Sequence, residues 1–118
     1  MSKRNLVLIA AFLLPCAAAA QTVTGIAVEP AQIRAGETAR FTVSFEVEGP
    51  INCGLRIHFG DGNFVDYKIN QQKDVPLVVP RVYASAGEYR IMAEPKTVPP
   101  ILRCSGRSQA TKLRVVAP

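Results

Sequence analysis

The chain has 118 residues, of which 48% are hydrophobic, 19% are charged and 7% are aromatic, and its formal net charge is +5. This length suits one domain and excludes an assembly of several. The basic residues form no stripe interleaved with aromatic side chains, which argues against a nucleic acid as the partner.

The start of the chain predicts a secretory signal peptide. A charged beginning at Lys3 and Arg4 is followed by the apolar run Leu6–Leu14, which is too short to span a bilayer, and then by small residues suited to cleavage. We therefore predict a signal peptide over residues 1–20 and a single domain without a membrane span over residues 21–118. The predicted location is periplasmic or secreted.

The three cysteines divide between these two regions. Cys16 lies in the signal peptide, where the sequence LLPC loosely resembles a bacterial lipoprotein box; lipidation of Cys16 is the alternative processing route, which the intact mass of the exported protein would test. Cys53 and Cys104 remain in the domain, and an exported compartment permits disulfides. We predict that they pair, which would close a loop of about 50 residues and contribute roughly 4 kcal/mol to stability.

The remaining charge is unevenly distributed. Residues 21–95 carry seven basic and nine acidic side chains, whereas residues 96–118 carry five basic side chains and no acidic one. The basic residues at the end of the chain are Lys96, Arg103, Arg107, Lys112 and Arg114. Two interpretations stay open, an electrostatic contact surface or a solvated region that keeps the domain soluble.

Alternating apolar residues dominate the chain after the signal peptide. This period of two predicts β-strands, and no window has a sustained helical period. The predicted strands are Thr24–Val28, Arg40–Glu48, Cys53–Phe59, Phe64–Ile69, Val75–Val79, Glu88–Glu94 and Lys112–Val116. About seven short strands separated by turn residues, in roughly 100 residues, are typical of an all-β, immunoglobulin-like β-sandwich.

The segment Gly60-Asp61-Gly62 lies between two of these predicted strands. It lacks both the following helix and the Lys-Ser/Thr pair of a phosphate-binding loop, so we predict a turn. Glycine permits the backbone angles of a tight turn, and the Asp61 carboxylate can accept hydrogen bonds from nearby backbone amides. Asp61 is therefore interpreted as a structural acceptor.

Two motifs together carry a resemblance to a known family. The sequence IHFGDG includes Phe59 and the turn after it, and RVYASAGEY contains Tyr83-x-x-x-Gly87-x-Tyr89, whose Gly-x-Tyr pattern is typical of a tyrosine corner. The chain resembles the PKD (polycystic kidney disease) domains over Ile26–Val116. The resemblance implies an immunoglobulin-like sandwich that is not an enzyme and that contacts proteins or carbohydrates.

The sequence departs from the PKD pattern at two positions. Ile57 stands where the family usually has tryptophan, and Arg81 stands where it usually has histidine before the first tyrosine. The core should therefore be packed differently, and no binding role of the family's tryptophan or histidine carries over.

Residues suited to catalysis or metal binding are few. His58 is the only histidine and is expected on an exposed sheet face, without the partners that a zinc site needs. Asp61, Asn63 and Asp66 form the only cluster of possible calcium ligands, and it offers few oxygens for that ion. We predict no catalytic residues, no metal site and no cofactor.

The long connection Pro95–Ala110 is the best candidate for a binding loop. Pro99-Pro100 stiffens it and Cys104 would anchor it, which presents Ile101, Leu102, Arg103 and Arg107 beside the predicted disulfide. Loops of this length are often functional when they are ordered. The other interpretation is that Ile101 and Leu102 fold back and cover the open end of the sandwich.

These observations lead to two functional hypotheses. The first is an exported, non-catalytic PKD-like domain that recognises a protein or polysaccharide of the bacterial cell envelope through this loop. The second is a small inhibitor or immunity protein that inserts the loop into the cleft of an enzyme. The oligomeric state stays open at this point.

Overall fold

The computed structural model describes residues 20–118, which form eight β-strands and one short 3-10 helix. The strands are β1 (Ala20–Glu29), β2 (Gln32–Arg34), β3 (Thr38–Glu48), β4 (Cys53–His58), β5 (Phe64–Ile69), β6 (Leu77–Val82), β7 (Gly87–Pro95) and β8 (Gln109–Val116), and the helix is Gln72–Asp74. The predicted signal peptide lies outside the described residues apart from Ala20. Within the described part, no helix has the length and apolar character needed to cross a membrane.

The strands form two sheets. A three-stranded sheet has the order β1-β3-β6, and a five-stranded sheet has the order β2-β8-β7-β4-β5. All neighbours are antiparallel except β2 and β8, which run parallel. The prediction of an all-β, immunoglobulin-like sandwich is confirmed.

The hydrophobic core lies between the inner faces of the two sheets. Alternation along the strands turns every second side chain inward, so that Phe41 from β3 and Leu55 and Ile57 from β4 are fully buried. The Phe41 ring lies 6.3 Å from the Phe59 ring and 6.4 Å from the Tyr83 ring between centroids, the latter edge to face. Ile57, at the position where the resemblance leads us to expect tryptophan, is thus fully buried in this core.

β1 and β8 begin earlier than predicted, at Ala20 and Gln109, and two further strands differ more strongly. β6 begins at Leu77 and continues through Pro80 to Val82, whereas the sequence predicted a strand that ends at Val79. Proline is tolerated there because β6 is an edge strand, with one side free of pairing. β2 was not predicted, since its three residues gain strand structure only by pairing with β8.

Candidate functional site

The predicted disulfide is present. Cys53 begins β4, Cys104 lies in the connection between β7 and β8, and their sulfur atoms are bonded with 4.6 Å between the two Cα atoms. Both cysteines are buried. The bond spans 51 positions in the sequence and fixes the middle of the long connection to the start of a core strand.

Gly54 holds the connection against β4 through its backbone. Its N–H donates to the carbonyl of Leu102 at 2.8 Å, and its carbonyl accepts from the N–H groups of Cys104 at 3.0 Å and Lys96 at 3.1 Å. A Cβ atom at position 54 would overlap the Lys96 carbonyl oxygen. Only glycine therefore permits this close approach of the two chain segments.

The next residue, Ser105, attaches the connection to the other sheet. Its N–H donates to the carbonyl of Gln21 at 2.8 Å, and its carbonyl accepts from the N–H of Val23 at 3.0 Å. The buried Gln21 side chain donates to the Pro50 carbonyl and accepts from the Asn52 N–H. The main chain of the connection is thus bonded to both sheets at one end of the sandwich.

The side chains of the connection are nonetheless displayed. Val98 and Ile101 exchange hydrogen bonds of 2.8 and 2.7 Å across Pro99-Pro100, which makes a tight hairpin. Leu102 follows with 75% of its surface exposed, although its carbonyl is bonded to β4, while Ile101 is half-buried. The main chain is therefore fixed and one apolar side chain points into solvent.

A shallow polar depression of about 230 Å³ is lined in part by Arg103, the residue that follows Leu102. Its walls are Glu94, Pro95, Lys96, Thr97 and Arg103. It combines the end of β7 with the start and the middle of the connection, so that two cations and one carboxylate share its lining. We call Leu102 together with this depression the loop-end surface.

The basic residues near the end of the chain do not form one surface. Lys96 and Arg103 line the depression, but Arg107 is not among its walls and follows a glycine packed against β1. Lys112 and Arg114 lie on β8, opposite the first half of β7 and away from its loop end. Of these five cations, only Lys96 and Arg103 line the depression together.

The outward face of the five-stranded sheet carries paired charges. Arg56 forms a two-point ion pair with Asp66 at 2.7 and 3.1 Å, and its guanidinium stacks 3.8 Å from the Phe64 ring. His58 Nε2 lies 2.7 Å from Glu94 Oε1. The hydrogen bond from Arg56 lowers the pKa of Asp66, and that from His58 lowers the pKa of Glu94. Both carboxylates are thus held in the ionised form.

Sequence reasoning placed His58 on an exposed face, but it missed the partners of these charges. Arg56 lies opposite Asp66 across β4 and β5 and opposite Glu94 across β4 and β7. The alternation along each strand shows which side chains face outward. It does not show the cross-strand register, which decides which of them meet.

The turn at Gly60-Asp61-Gly62 has the structural role that the sequence predicted. Asp61 Oδ1 accepts from the Asn63 N–H at 3.0 Å, as in an Asx turn, and Oδ2 accepts from Arg81 Nη2 at 2.7 Å. Arg81 also stacks 4.0 Å from the Phe59 ring. Burial opposes ionisation of Asp61, but the hydrogen bonds from Arg81 and Asn63 outweigh it and lower its pKa.

Each carboxylate among the possible calcium ligands is paired with an arginine. Asp61 bonds to Arg81 and Asp66 to Arg56, so that the two acids belong to separate ion pairs. Among residues 20–118, no group of three or more His, Cys, Asp or Glu side chains is placed to hold a metal ion.

Two tyrosine hydroxyls donate to the main chain. Tyr89 donates to the carbonyl of Ser85 at 2.7 Å, four residues upstream, which is the geometry of a tyrosine corner. Tyr83 donates to the carbonyl of Phe59 at 2.7 Å inside the core, and the two rings lie 4.4 Å apart. The hydroxyl of Tyr83 therefore ties β6 to the turn that follows β4.

Two sheets packed with this strand order, a tyrosine corner and a closed loop end define an immunoglobulin-like β-sandwich. Solved structures make the class more specific. The PKD domain of an M14-like peptidase from Thermoplasmatales archaeon SCGC AB-540-F20 superposes with a TM-score of 0.57 at 13% identity, over 81% of this chain and 95% of that one. The PKD domain of the human VPS10 domain-containing receptor SorCS2 gives a TM-score of 0.57 at 20% identity, over 98% and 91%. The chain has the fold of a PKD domain.

A related fold also matches. The CARDB domain of the PF1109 protein from Pyrococcus furiosus, solved in complex with di-metal ions, has a TM-score of 0.52 at 14% identity, over 85% of this chain and 94% of that one. No protein-family model matches the chain, and no curated protein matches it. At these identities the solved structures establish the fold alone.

Proposed function

We propose that this chain is an exported, non-catalytic interaction domain that binds a protein or a glycan of the bacterial envelope through the loop-end surface. One observation carries the proposal. The long connection is fixed by a disulfide and by backbone hydrogen bonds to both sheets, yet Leu102 is 75% exposed and Arg103 lines an open depression.

A fixed loop is suited to recognition for an entropic reason. Binding normally orders the groups that make the contact, which costs about 0.5–1.5 kcal/mol for each side chain with many rotamers and more for a mobile backbone. Here the backbone of Leu102 and Cys104 is already bonded to Gly54 before any partner arrives. The loop therefore loses little further backbone entropy on binding.

The loop-end surface also combines two kinds of contact. Leu102 offers an exposed apolar side chain, and covering it would contribute about 1.5–3 kcal/mol. Lys96 and Arg103 offer cations beside Glu94, whose carboxylate is already bonded to His58. An acidic group on a protein or a glycan, next to an apolar patch, complements this arrangement.

Affinity capture from envelope extract, with the disulfide intact, tests the proposal. The wild type should retain a partner that a Leu102→Ser/Arg103→Glu variant loses, and the purified partner should then bind the wild type directly. Arg107→Glu is the matched control, because it makes the same charge change outside the depression and should leave binding intact. Equal retention by all three proteins would contradict the proposal.

The second candidate function is inhibition of an enzyme. The tight hairpin over Pro99-Pro100, directly before an exposed leucine and a disulfide-bonded cysteine, favours it, since a rigid protruding loop can occupy an enzyme cleft. Stoichiometric inhibition of an envelope protease or wall hydrolase would support it. Arg103→Glu should then abolish inhibition, and inhibition unchanged by that substitution would exclude the loop as the inhibitory element.

A further inference from the structure

Three of the four sheet edges are protected against pairing with another chain. β1 is bridged at Thr22 by Ser105 and is bent by a bulge between Val23 and Gly25. β6 contains Pro80, and β2 has only three residues. Bulges, prolines, short strands and covering segments are the means by which natural sheets prevent edge-to-edge association.

The fourth edge, β5, has none of these protections. It is six residues long, contains no proline or glycine, and pairs with β4 without a register shift from Phe64 to Ile69. Two apolar residues at its start are well exposed, Phe64 at 49% and Val65 at 41%. Within residues 20–118, no other strand or bridge pairs with its outer side.

The register shows which backbone groups of β5 are free. The N–H of Phe59 donates to the carbonyl of Asn63, so Asn63 faces β4 with its hydrogen-bonding groups. In an antiparallel ladder, the side to which the backbone N–H and C=O groups point alternates from residue to residue. The N–H and C=O groups that point away from β4 therefore belong to the even-numbered residues Phe64, Asp66 and Lys68.

We propose that β5 pairs antiparallel with β5 of a second copy of this chain, about a two-fold axis at Tyr67. The position of the axis is decided by the charges that it sets opposite each other. An axis at Asp66 sets this carboxylate opposite its own copy, and an axis at Val65 sets it opposite Phe64. An axis at Tyr67 sets Asp66 opposite Lys68 twice, once on each side of the axis, and it pairs the residues from Val65 to Ile69.

The pairing is compatible with the contacts already present. Asp66 keeps Arg56 on its β4 side while Lys68 of the second copy approaches from the open side, so that cation, anion and cation alternate across the joined sheets. The N–H of Asn70 is not available to extend the ladder, because it already donates to Asp74 Oδ2 at 3.2 Å. One edge buries little area, so we expect a weak dimer with a Kd of roughly micromolar magnitude.

Sedimentation equilibrium of the purified chain, with its disulfide intact and over a range of about 5 to 500 µM, tests the proposal. The wild type should dimerise, and Lys68→Glu should weaken the dimer by about tenfold or more, because it sets like charges opposite each other. Lys73→Glu is the matched control, since Lys73 lies on the exposed 3-10 helix, and it should leave the dimer intact. A monomeric wild type, or equal weakening by the control, would overturn the proposal.

A mixing experiment tests the register itself. In a dimer of Lys68→Glu chains, Asp66 faces a glutamate, and in a dimer of Asp66→Lys chains, Lys68 faces a lysine. A dimer with one copy of each variant has two pairs of opposite charge. The equimolar mixture should therefore dimerise while each variant alone does not. Hydrogen exchange should slow at the amides of Asp66 and Lys68 at high wild-type concentration. Failure of the mixture to associate, with both variants folded by circular dichroism, would refute the pairing; binding through the loop-end surface is not affected by this outcome.

Discussion

Removal of the Tyr83 hydroxyl is the most direct test of how the turn after β4 is attached to the core. The hydroxyl donates to the Phe59 carbonyl at 2.7 Å, and the side chain is buried between Phe41 and Tyr89. Burial raises the pKa of Tyr83 well above its ordinary value, so the hydroxyl keeps its proton at neutral pH. Tyr83→Phe removes one oxygen atom and leaves the ring in place.

The expected loss of stability follows from the Phe59 carbonyl, which is left without its donor. A typical intramolecular hydrogen bond contributes about 0.5–1.5 kcal/mol, but a buried carbonyl left without a donor costs about 1–3 kcal/mol. We expect Tyr83→Phe to lower the free energy of unfolding by about 2 kcal/mol. For a domain of this size that corresponds to a fall in Tm of roughly 8–16 °C.

Tyr89→Phe provides the matched control. It also deletes one hydroxyl that donates at 2.7 Å to a carbonyl, but this bond is exposed, so water can replace the donor and the loss should be about 0.5–1 kcal/mol. Urea unfolding followed by circular dichroism suits a chain without tryptophan, and equal m-values would show that only stability changed. A Tyr83 variant as stable as the Tyr89 variant would refute the role of the buried carbonyl.

Three further predictions concern the loop end and the charged sheet face. Replacing Cys53 and Cys104 by serine should lower the unfolding free energy by about 4 kcal/mol, measured against the oxidised wild type in urea, and a loss below about 1 kcal/mol would contradict the loop-entropy argument. Gly54→Ala should cost about 1–3 kcal/mol and weaken partner binding, because its Cβ displaces the connection; unchanged binding and stability would show that the connection is not fixed there. Because hydrogen bonding with Arg56 lowers the pKa of Asp66, this pair stabilises the fold above the ordinary carboxyl pKa of about 4 and is lost as the pH falls through the lowered value. Asp66→Asn should therefore be slightly less stable than the wild type at pH 7 and equally stable near pH 2 in thermal scans; a difference independent of pH would exclude the ion pair as its cause.

The strands that the sequence predicted well are those whose apolar alternation is bracketed by turn residues. β5 has the predicted bounds, Phe64–Ile69, because the glycine-rich turn precedes it and a polar segment follows. β6 was displaced, because Pro80 reads as the end of a strand although an edge position accepts it. β2 carries no periodic signal, since three residues are too few to show one.

The candidate site was predicted only in part, for a related reason. The disulfide followed from the predicted compartment and from two remaining cysteines, and the length and prolines of the connection identified it as a candidate loop. The contact between Lys96 and the rest of the depression depends on how the connection folds over Gly54, which no local pattern encodes. Arg107 lies close in sequence to Arg103 but beyond the bridge at Ser105 that turns the chain toward β1.

The way in which the connection is attached has a consequence for its evolution. Its hydrogen bonds to Gly54, Gln21 and Val23 use main-chain atoms alone, and its covalent link uses Cys104 alone. The identities of Leu102 and Arg103 are therefore almost independent of the architecture that supports them. Under the proposed binding function, substitutions at these two positions would change which partner is selected at little cost in stability, and the domain would serve as a scaffold on which new specificities are displayed.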